Sequence, residues 1–306
     1  MLLRINKPLF SVVIPTYNRA EKLLRCLQSL NEQTFLDFEV LVCDDGSSDN
    51  TKHVTDSFRK EIKFEALHYF FEPNWGGPAH PRNTGIKQAA ADWICFLDSD
   101  DTWYPGKLEN MLPYLENYDL LYHDFDLIDN AGKSRRLTAR QLIAPVFHDL
   151  MLNGHNGCII NSGVCVRKQF LLEAGGISED RSLISVEDAD AWLKISRLTD
   201  KFKYVAKPLG QYFLDGDNIT MYNQQMIDKL IYLFNLHVPF LDNNYQKKSA
   251  AKTNNYHLAR IRQKMGNSKE AVKLHQSSLG SPNIKLALRS LYWIFYIYFS
   301  SLKPLK

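Results

Sequence analysis

The stretch Trp93-Ile94-Cys95-Phe96-Leu97-Asp98-Ser99-Asp100-Asp101-Thr102-Trp103 constrains this chain more than any other, because apolar residues run directly into three closely spaced carboxylates. An uninterrupted apolar run of this kind reads as a strand buried on both faces, which gathers Asp98, Asp100 and Asp101 at its C-terminal edge. Neighbouring carboxylates repel one another at neutral pH unless a cation or hydrogen-bond donors hold them, so the cluster predicts a divalent metal. All-oxygen ligands select Mg²⁺ or Mn²⁺ over zinc, and a hard ion held by few carboxylates keeps positions open for phosphate oxygens. A diphosphate-bearing substrate follows. A solvated acidic turn is the plainer alternative and ranks second, since acids directly after a buried strand cost stability unless something needs them there.

The residues before this stretch repeat one pattern. Residues 9–14 read as a first strand closed by Pro15-Thr16-Tyr17-Asn18. Asn18 is then expected to cap a helix in a capping-box arrangement with Glu21, with Leu23, Leu24, Leu27 and Leu30 as its buried stripe. A second strand over 38–43 ends in Asp44-Asp45-Gly46-Ser47, and a third over 64–71 leads through Asn74-Trp75-Gly76-Gly77-Pro78 to a helix expected at 82–91. Strands alternating with helices imply an α/β fold with a doubly wound, mainly parallel sheet flanked by helices. Ligands of such sheets bind beyond the carboxyl ends of the strands, where both acidic loops fall.

Composition sets the outer limits. A chain of 306 residues, 45% hydrophobic, can bury a full core as one large α/β domain with additions or as two smaller domains. A net charge of +3 is too mild for a nucleic-acid binder by bulk electrostatics. The five cysteines, Cys26, Cys43, Cys95, Cys158 and Cys165, sit in apolar contexts without a C-x-x-C pair and read as reduced, buried thiols. The first residues lack the continuous apolar core of a secretory signal, which favours a cytoplasmic catalytic part.

Pro15-Thr16-Tyr17-Asn18, Asp44-Asp45-Gly46-Ser47, Gly76-Gly77 followed by Ala79-x-x-Arg82-Asn83-x-Gly85, and Asp98-Ser99-Asp100-Asp101 together resemble the family 2 glycosyltransferases, with their GT-A fold. The resemblance implies an inverting transferase that moves a sugar from a nucleotide diphosphate sugar to an acceptor hydroxyl, with Mn²⁺ or Mg²⁺ as cofactor. Carried over by position, Pro15 and Tyr17 border the nucleotide base, Asp45 accepts from a base N–H, and Arg82 approaches the base or diphosphate. Asp98 and Asp100 form the D-x-D pair, with Asp100 the direct metal ligand. Uracil, with an N–H between two carbonyls, suits an ionised Asp45 and a stacking Tyr17, which favours UDP. Glu187-Asp188 matches the family's second acidic motif. Asp188 is expected as the base that takes the hydroxyl proton, and Glu187 as a residue orienting acceptor or donor hydroxyls. Read without the resemblance, Glu187, Asp188 and Asp190 are ordinary first-turn acids that favour a helix dipole.

Elsewhere the sequence predicts scaffold. Tyr104-Pro105 opens an expected helix carrying Leu108, Met111, Leu112 and Leu115, and 119–126 reads as a strand whose His123 and Asp124 either touch the sugar or, preferably, cap the strand edge. Lys133, Arg135, Arg136 and Arg140 read as a solvated basic loop, with contact to an acceptor's phosphate as the sharper alternative. Residues 157–167 suggest a strand, 169–174 a short helix ended by Gly175-Gly176, 187–198 a helix and 202–205 a final strand. The loop after it carries Asp215 and Asp217 where relatives of the family carry a basic residue or histidine.

The expected organisation is a catalytic domain over 1–220, divided into a nucleotide half (1–105) and an acceptor half (106–220), followed by a helical region over 221–306. The aromatic segment 284–302 is too short to span a bilayer, which needs about 20 apolar residues, and suits the membrane interface, where Lys303 and Lys306 favour anionic lipid. Packing on the protein or in a homodimer competes with that reading. A membrane seat would place the enzyme on the inner face of the cell membrane and suit a lipid-linked acceptor in bacterial surface polysaccharide synthesis. Asp98-x-Asp100-x-Thr102 also fits a haloacid dehalogenase-type phosphatase with Asp98 as nucleophile, but that alternative leaves Asp44-Asp45 and Arg82 unexplained. A non-catalytic sugar- or nucleotide-binding module is a third option.

Overall fold

A computed structural model describes residues 7–154, 159–214 and 222–301. Cys158, the loop with Asp215 and Asp217, and Lys303 and Lys306 lie outside the described residues. β1 (Phe10–Thr16), β2 (Phe38–Asp44), β3 (Ala66–Phe71) and β4 (Trp93–Phe96) form the parallel half of one sheet in the order β3-β2-β1-β4. Helices α1 (Ala20–Asn31), α2 (Thr51–Phe58) and α3 (Ala79–Gln88) connect them.

Strand alternation decides which helix covers which face. Phe10, Val12 and Ile14 of β1 pack with Leu23, Leu27 and Leu30 of α1, while Val13, between them, joins Ile86 of α3 on the other side. Burying each such side chain stabilises by about 1.5–3 kcal/mol relative to exposure. α3 lies close to the sheet because residue 85 has no side chain: a Cβ there would stand 2.4 Å from Val13 Cγ1.

The second half is mixed, though the longest ladders of the sheet as a whole are parallel, as expected. β5 (Thr102–Trp103), β6 (Leu120–Asp129), β7 (Ser134–Leu137), β8 (Cys165–Arg167) and β9 (Phe202–Leu214) extend the order as β4-β8-β6-β9-β5, with β7 beside β6. β8 is antiparallel to both β4 and β6, and only β6 and β9 pair parallel. The basic stretch after Gly132 is thus the β7 arm of a hairpin, and the final strand runs on through the expected loop to Leu214.

Other expectations are also corrected. Asn18 does not cap α1. It adopts φ +50°, accepts from Ser48 N at 2.7 Å and donates its own N–H to Ser47 Oγ, so it clips the β1 loop to the β2 loop. The orphan N–H of Ala20 instead donates to Asp49 Oδ2 at 3.0 Å. Residues 104–118 form turns and a single 3₁₀ turn, Leu112–Tyr114, in which Leu108 and Met111 are buried without a regular helix. The helix α4 (Val146–Asn153) has no counterpart in the sequence reading. His123 and Asp124 are structural: Asp124 accepts from Ala139 N and Tyr204 Oη, and His123 is fully buried.

After the short α5 (Lys168–Glu173) and α6 (Glu187–Ile195), four helices follow: α7 (Gln224–His237), α8 (Asn244–Lys264), α9 (Ser268–Ser278) and α10 (Ile284–Ser301). Leu230 and Leu233 of α7 and Leu258 and Ile261 of α8 join the apolar cluster that covers the α3 and α6 face of the sheet. α10 rests on α9 through Ile294 and Ile297 against Ala271 and Val272.

Candidate active site

The carboxyl ends of β1, β2 and β4 meet α6 and α8 around a cleft of about 990 Å³. Pro15, Tyr17, Asp45, Arg82, Asp98, Asp100, Glu187 and Asp188, all expected from the sequence, line it together. Tyr17 is half exposed and Pro15 is buried.

The centre of the site is Arg82. Its guanidinium is buried and donates through Nη2 to Asp98 Oδ1 at 2.7 Å and through Nη1 to Glu187 Oε1 at 2.6 Å. Burial alone would depress its pKa, but the two carboxylates outweigh it and hold it above its usual value. Glu187 uses its other oxygen to accept from Ser185 N at 2.6 Å, so both oxygens are engaged within the protein. Asp188, next along, is only partly buried. Burial and then repulsion from Glu187 push its carboxyl up to about 7, although Arg82 pulls the other way. A carboxylate with that value can exchange a proton at neutral pH.

Asp98 also accepts from Asn161 Nδ2 at 3.1 Å, and Asp100 Oδ2 accepts from Arg19 Nη1 at 2.5 Å. Asp101 lies behind them, with Oδ2 accepting from Ser162 Oγ and Oδ1 from Phe213 N, while burial and then Asp100 and Asp98 push its carboxyl up. The acidic cluster is therefore held by Arg82, Arg19, Asn161 and Ser162. Repulsion alone does not demand a metal, which corrects that step of the sequence argument.

The donor set nonetheless fits one. Asp98 and Asp100 offer oxygen only and face the cleft, and among the described residues no group of three or more His, Cys, Asp or Glu is arranged to hold a metal. Two carboxylates with other positions left for phosphate oxygens suit a hard ion.

Asp45 accepts from Trp75 N at 2.8 Å, Gly76 N at 3.0 Å and Gly77 N at 3.3 Å. It thereby shapes the loop that leads into α3, and one of its four acceptor directions remains. Sequence reasoning missed Arg19, Asn161 and Ser162 as parts of the site. The Arg19 signal was its position directly after Pro15-Thr16-Tyr17-Asn18, whereas nothing local marked Asn161 and Ser162.

A half-parallel, half-mixed sheet with its helices and cleft in this arrangement is the GT-A fold. The solved structure of Staphylococcus aureus TarS residues 1–349 in complex with UDP superposes with a TM-score of 0.67 at 18% identity, covering 97% of this chain and 93% of that one. A mannosyltransferase from Pyrobaculum calidifontis in complex with GDP-Man and Mn²⁺ gives 0.60 at 15% identity, over 96% of this chain and 85% of that one.

The family model of Glycosyl transferase family 2 matches residues 11–173. The amylovoran biosynthesis glycosyltransferase AmsB of Erwinia amylovora is 30% identical over 67% of this chain and 69% of its own length. The chain belongs to glycosyltransferase family 2 and is a transferase. A UDP-Glc:alpha-D-GlcNAc-diphosphoundecaprenol beta-1,3-glucosyltransferase of Escherichia coli, WfgD, is 34% identical over 49% of this chain, which spans 58% of that enzyme. The phosphatase alternative has no support beside this membership.

Proposed function

We propose that the chain is an inverting transferase that moves a sugar from a UDP-sugar to a hydroxyl of a glycan or lipid-linked acceptor in bacterial surface polysaccharide synthesis. The observation that carries the reading is that Asp188, with its carboxyl pushed up to about 7, opens onto the same cleft as Asp45, Asp98 and Asp100. The acceptor oxygen attacks the anomeric carbon, its proton passes to Asp188, and the bond to the diphosphate breaks with its electron pair leaving on the phosphate oxygen. Arg82 stays neutralised by Asp98 and Glu187, so its role is to hold those two carboxylates and, through Glu187, the start of α6 in place. A Mn²⁺ or Mg²⁺ ion held by Asp98 and Asp100 would supply neutralisation of the departing diphosphate. Tyr17 offers a face for the base, and Asp45 shapes the loop beside it while retaining acceptor capacity for a base N–H.

The reading extends to α10 as a helix seated on a membrane surface. No helix among the described residues is long and apolar enough to cross a membrane. The outward side of α10 carries Ile284, Leu288, Tyr292, Phe295 and Phe299, all exposed, and the helix has no acidic residue. Residues 222–301 hold eleven Lys or Arg against three Asp or Glu, a net +8, whereas the whole chain nets +3.

Thermal stabilisation by UDP, UDP-glucose, UDP-N-acetylglucosamine and GDP-mannose, with and without Mn²⁺, tests the donor. Expected is Mn²⁺-dependent stabilisation by the UDP compounds that Asp100→Asn abolishes. Stabilisation by none of them, or phosphatase turnover with a phospho-aspartate at Asp98, would refute it.

A further inference from the structure

We infer that the basic residues which α8 and β7 bring to the cleft form a phosphate subsite for the acceptor, with Arg260, Lys264 and Arg135 as its recognising groups. The inference rests on the transferase reading and names the chemistry of its second substrate.

Arg260 carries the argument. It lines the cleft and is partly buried, yet no carboxylate of the described residues comes within ion-pair distance of it. Its guanidinium lies over the Trp293 ring at 3.5 Å and donates to Gln263 Oε1. Burial depresses its pKa. A desolvated guanidinium without an anion is costly, whereas a bound anion would offset that cost.

The other arginines around it show the contrast. Arg262, two residues on, is paired with Glu270 at 2.8 Å, and the donor-side Arg19 and Arg82 are both paired with carboxylates. Lys264, one helical turn after Arg260, also lines the cleft and sits over the Tyr222 ring at 3.8 Å. Arg135 reaches the same cleft from β7 and is exposed. The acids that line the cleft, Asp45, Asp98, Asp100, Glu187 and Asp188, come from the loops after β2 and β4 and from α6, not from α8 or β7. The acidic and the basic residues of the cleft thus come from different elements, the first suited to a metal and the second to an anion.

A planar guanidinium fork with an ammonium beside it suits a phosphate or diphosphate ester. Such a group could come from a polyisoprenoid diphosphate or from a polyol-phosphate polymer. The surroundings favour the lipid: Met226, Leu230, Ile261, Leu137 and Leu150 line the same cleft, and Trp293 ties Arg260 to α10, the helix with the exposed aromatic residues.

The test uses the full chain with UDP and Mn²⁺ saturating, so that the donor site is filled. Calorimetric titrations with farnesyl diphosphate, a glycerol-phosphate oligomer and farnesol compare the wild type with Arg260→Gln/Lys264→Gln, Lys264→Gln, Arg135→Gln and Arg260→Lys. At least one phosphorylated probe is expected to bind, the double variant to lose tenfold or more, and Arg260→Lys to lose less. UDP affinity is expected to stay within twofold throughout, and the salt dependence of probe binding to flatten in the double variant. Farnesyl diphosphate alone binding identifies a lipid-linked acceptor, and the oligomer alone a polymeric one. Equal affinity of wild type and double variant, no binding of either phosphorylated probe, or farnesol binding as well as its diphosphate overturns the subsite. If Arg260→Gln does not fold, Lys264→Gln and Arg135→Gln decide, each expected to lose threefold or more. Failure of UDP to bind the wild type would instead refute the donor reading.

Discussion

Arg82 and Glu187, 105 residues apart in sequence, meet in a buried ion pair at 2.6 Å that locks the first turn of α6 to α3. The same guanidinium reaches Asp98 at the end of β4. One side chain therefore registers the parallel half of the sheet against the helix that carries Asp188, and its neutralisation of Glu187 and Asp98 sets the field in which Asp188 titrates.

On the proposed mechanism Asp188→Asn removes the proton acceptor, so it is expected to lower kcat on the order of 10³-fold while UDP affinity changes less than twofold. Because the base works ionised and its pKa is raised to about 7, wild-type kcat/KM should fall about tenfold per pH unit below 7 and flatten above it. Stability runs the other way. A carboxyl raised above its unfolded value of about 3.9 favours the folded state when protonated, and that contribution is lost as pH rises through about 7. Urea denaturation should find Asp188→Asn more stable than wild type at pH 8 by about 1–2 kcal/mol, with the gap closing by pH 5. A flat pH–rate profile between 5 and 8 would remove Asp188 as the base.

Arg82→Gln leaves a buried Glu187 without its counter-ion, at an expected cost of about 3–5 kcal/mol. Lysine should not rescue it, because one ammonium cannot span Asp98 and Glu187 as the planar fork does. Arg82→Gln with Glu187→Gln should recover part of the loss, and a double-mutant cycle in denaturant measures the coupling. Additive effects would mean that the pair contributes nothing as a pair.

The parts of the fold that a local pattern encodes were legible in the sequence. The alternation of Phe10, Val12 and Ile14 against Val13, and the loops that end β1, β2 and β4, needed no tertiary information. What escaped was settled between distant segments. Asn18 looks like a helix cap until Ser47, Ser48 and Asp49, about thirty residues on, take its hydrogen bonds and provide the cap instead. The mixed half of the sheet depends on β8 inserting between β4 and β6, which no periodicity announces. At the site, the expected residues line one cleft, but the argument from repulsion to a metal was incomplete, because Arg19 and Arg82 supply the countercharge that an acidic run lacks when read alone.

Gly85→Ala reverses a general rule. In an exposed helix interior alanine stabilises by about 1 kcal/mol over glycine. Here its Cβ would lie 2.4 Å and 2.9 Å from the two Val13 methyls and 3.1 Å from Cys43 Sγ. The expected outcome is a loss of about 1–3 kcal/mol from overpacking, partly recovered by Val13→Ala in the double variant. Thermal denaturation of the single and double variants checks it; a stabilised Gly85→Ala would show that α3 can lift off the sheet without penalty.

The seat of α10 is decided by its two faces. Ile294 and Ile297 pack on α9, so changing them would unfold the helix, whereas Leu288 and Phe295 are 60% and 53% exposed, with Phe295 stacked on Phe299 of the same helix. Apolar burial in a bilayer interface is worth about 25 cal/mol per Å², and basic residues near anionic lipid add about 1 kcal/mol each. Leu288→Glu with Phe295→Glu should therefore lower co-sedimentation with phosphatidylglycerol-rich vesicles at least tenfold while leaving the melting temperature within about 2 °C, a shift expected of surface substitutions in a domain of this size. Raising salt should weaken wild-type binding without abolishing it, since the aromatic face is insensitive to screening. If the wild type ignores the vesicles and the substitutions instead convert a dimer to a monomer, the outward face is a contact between copies of the chain and the membrane seat is wrong.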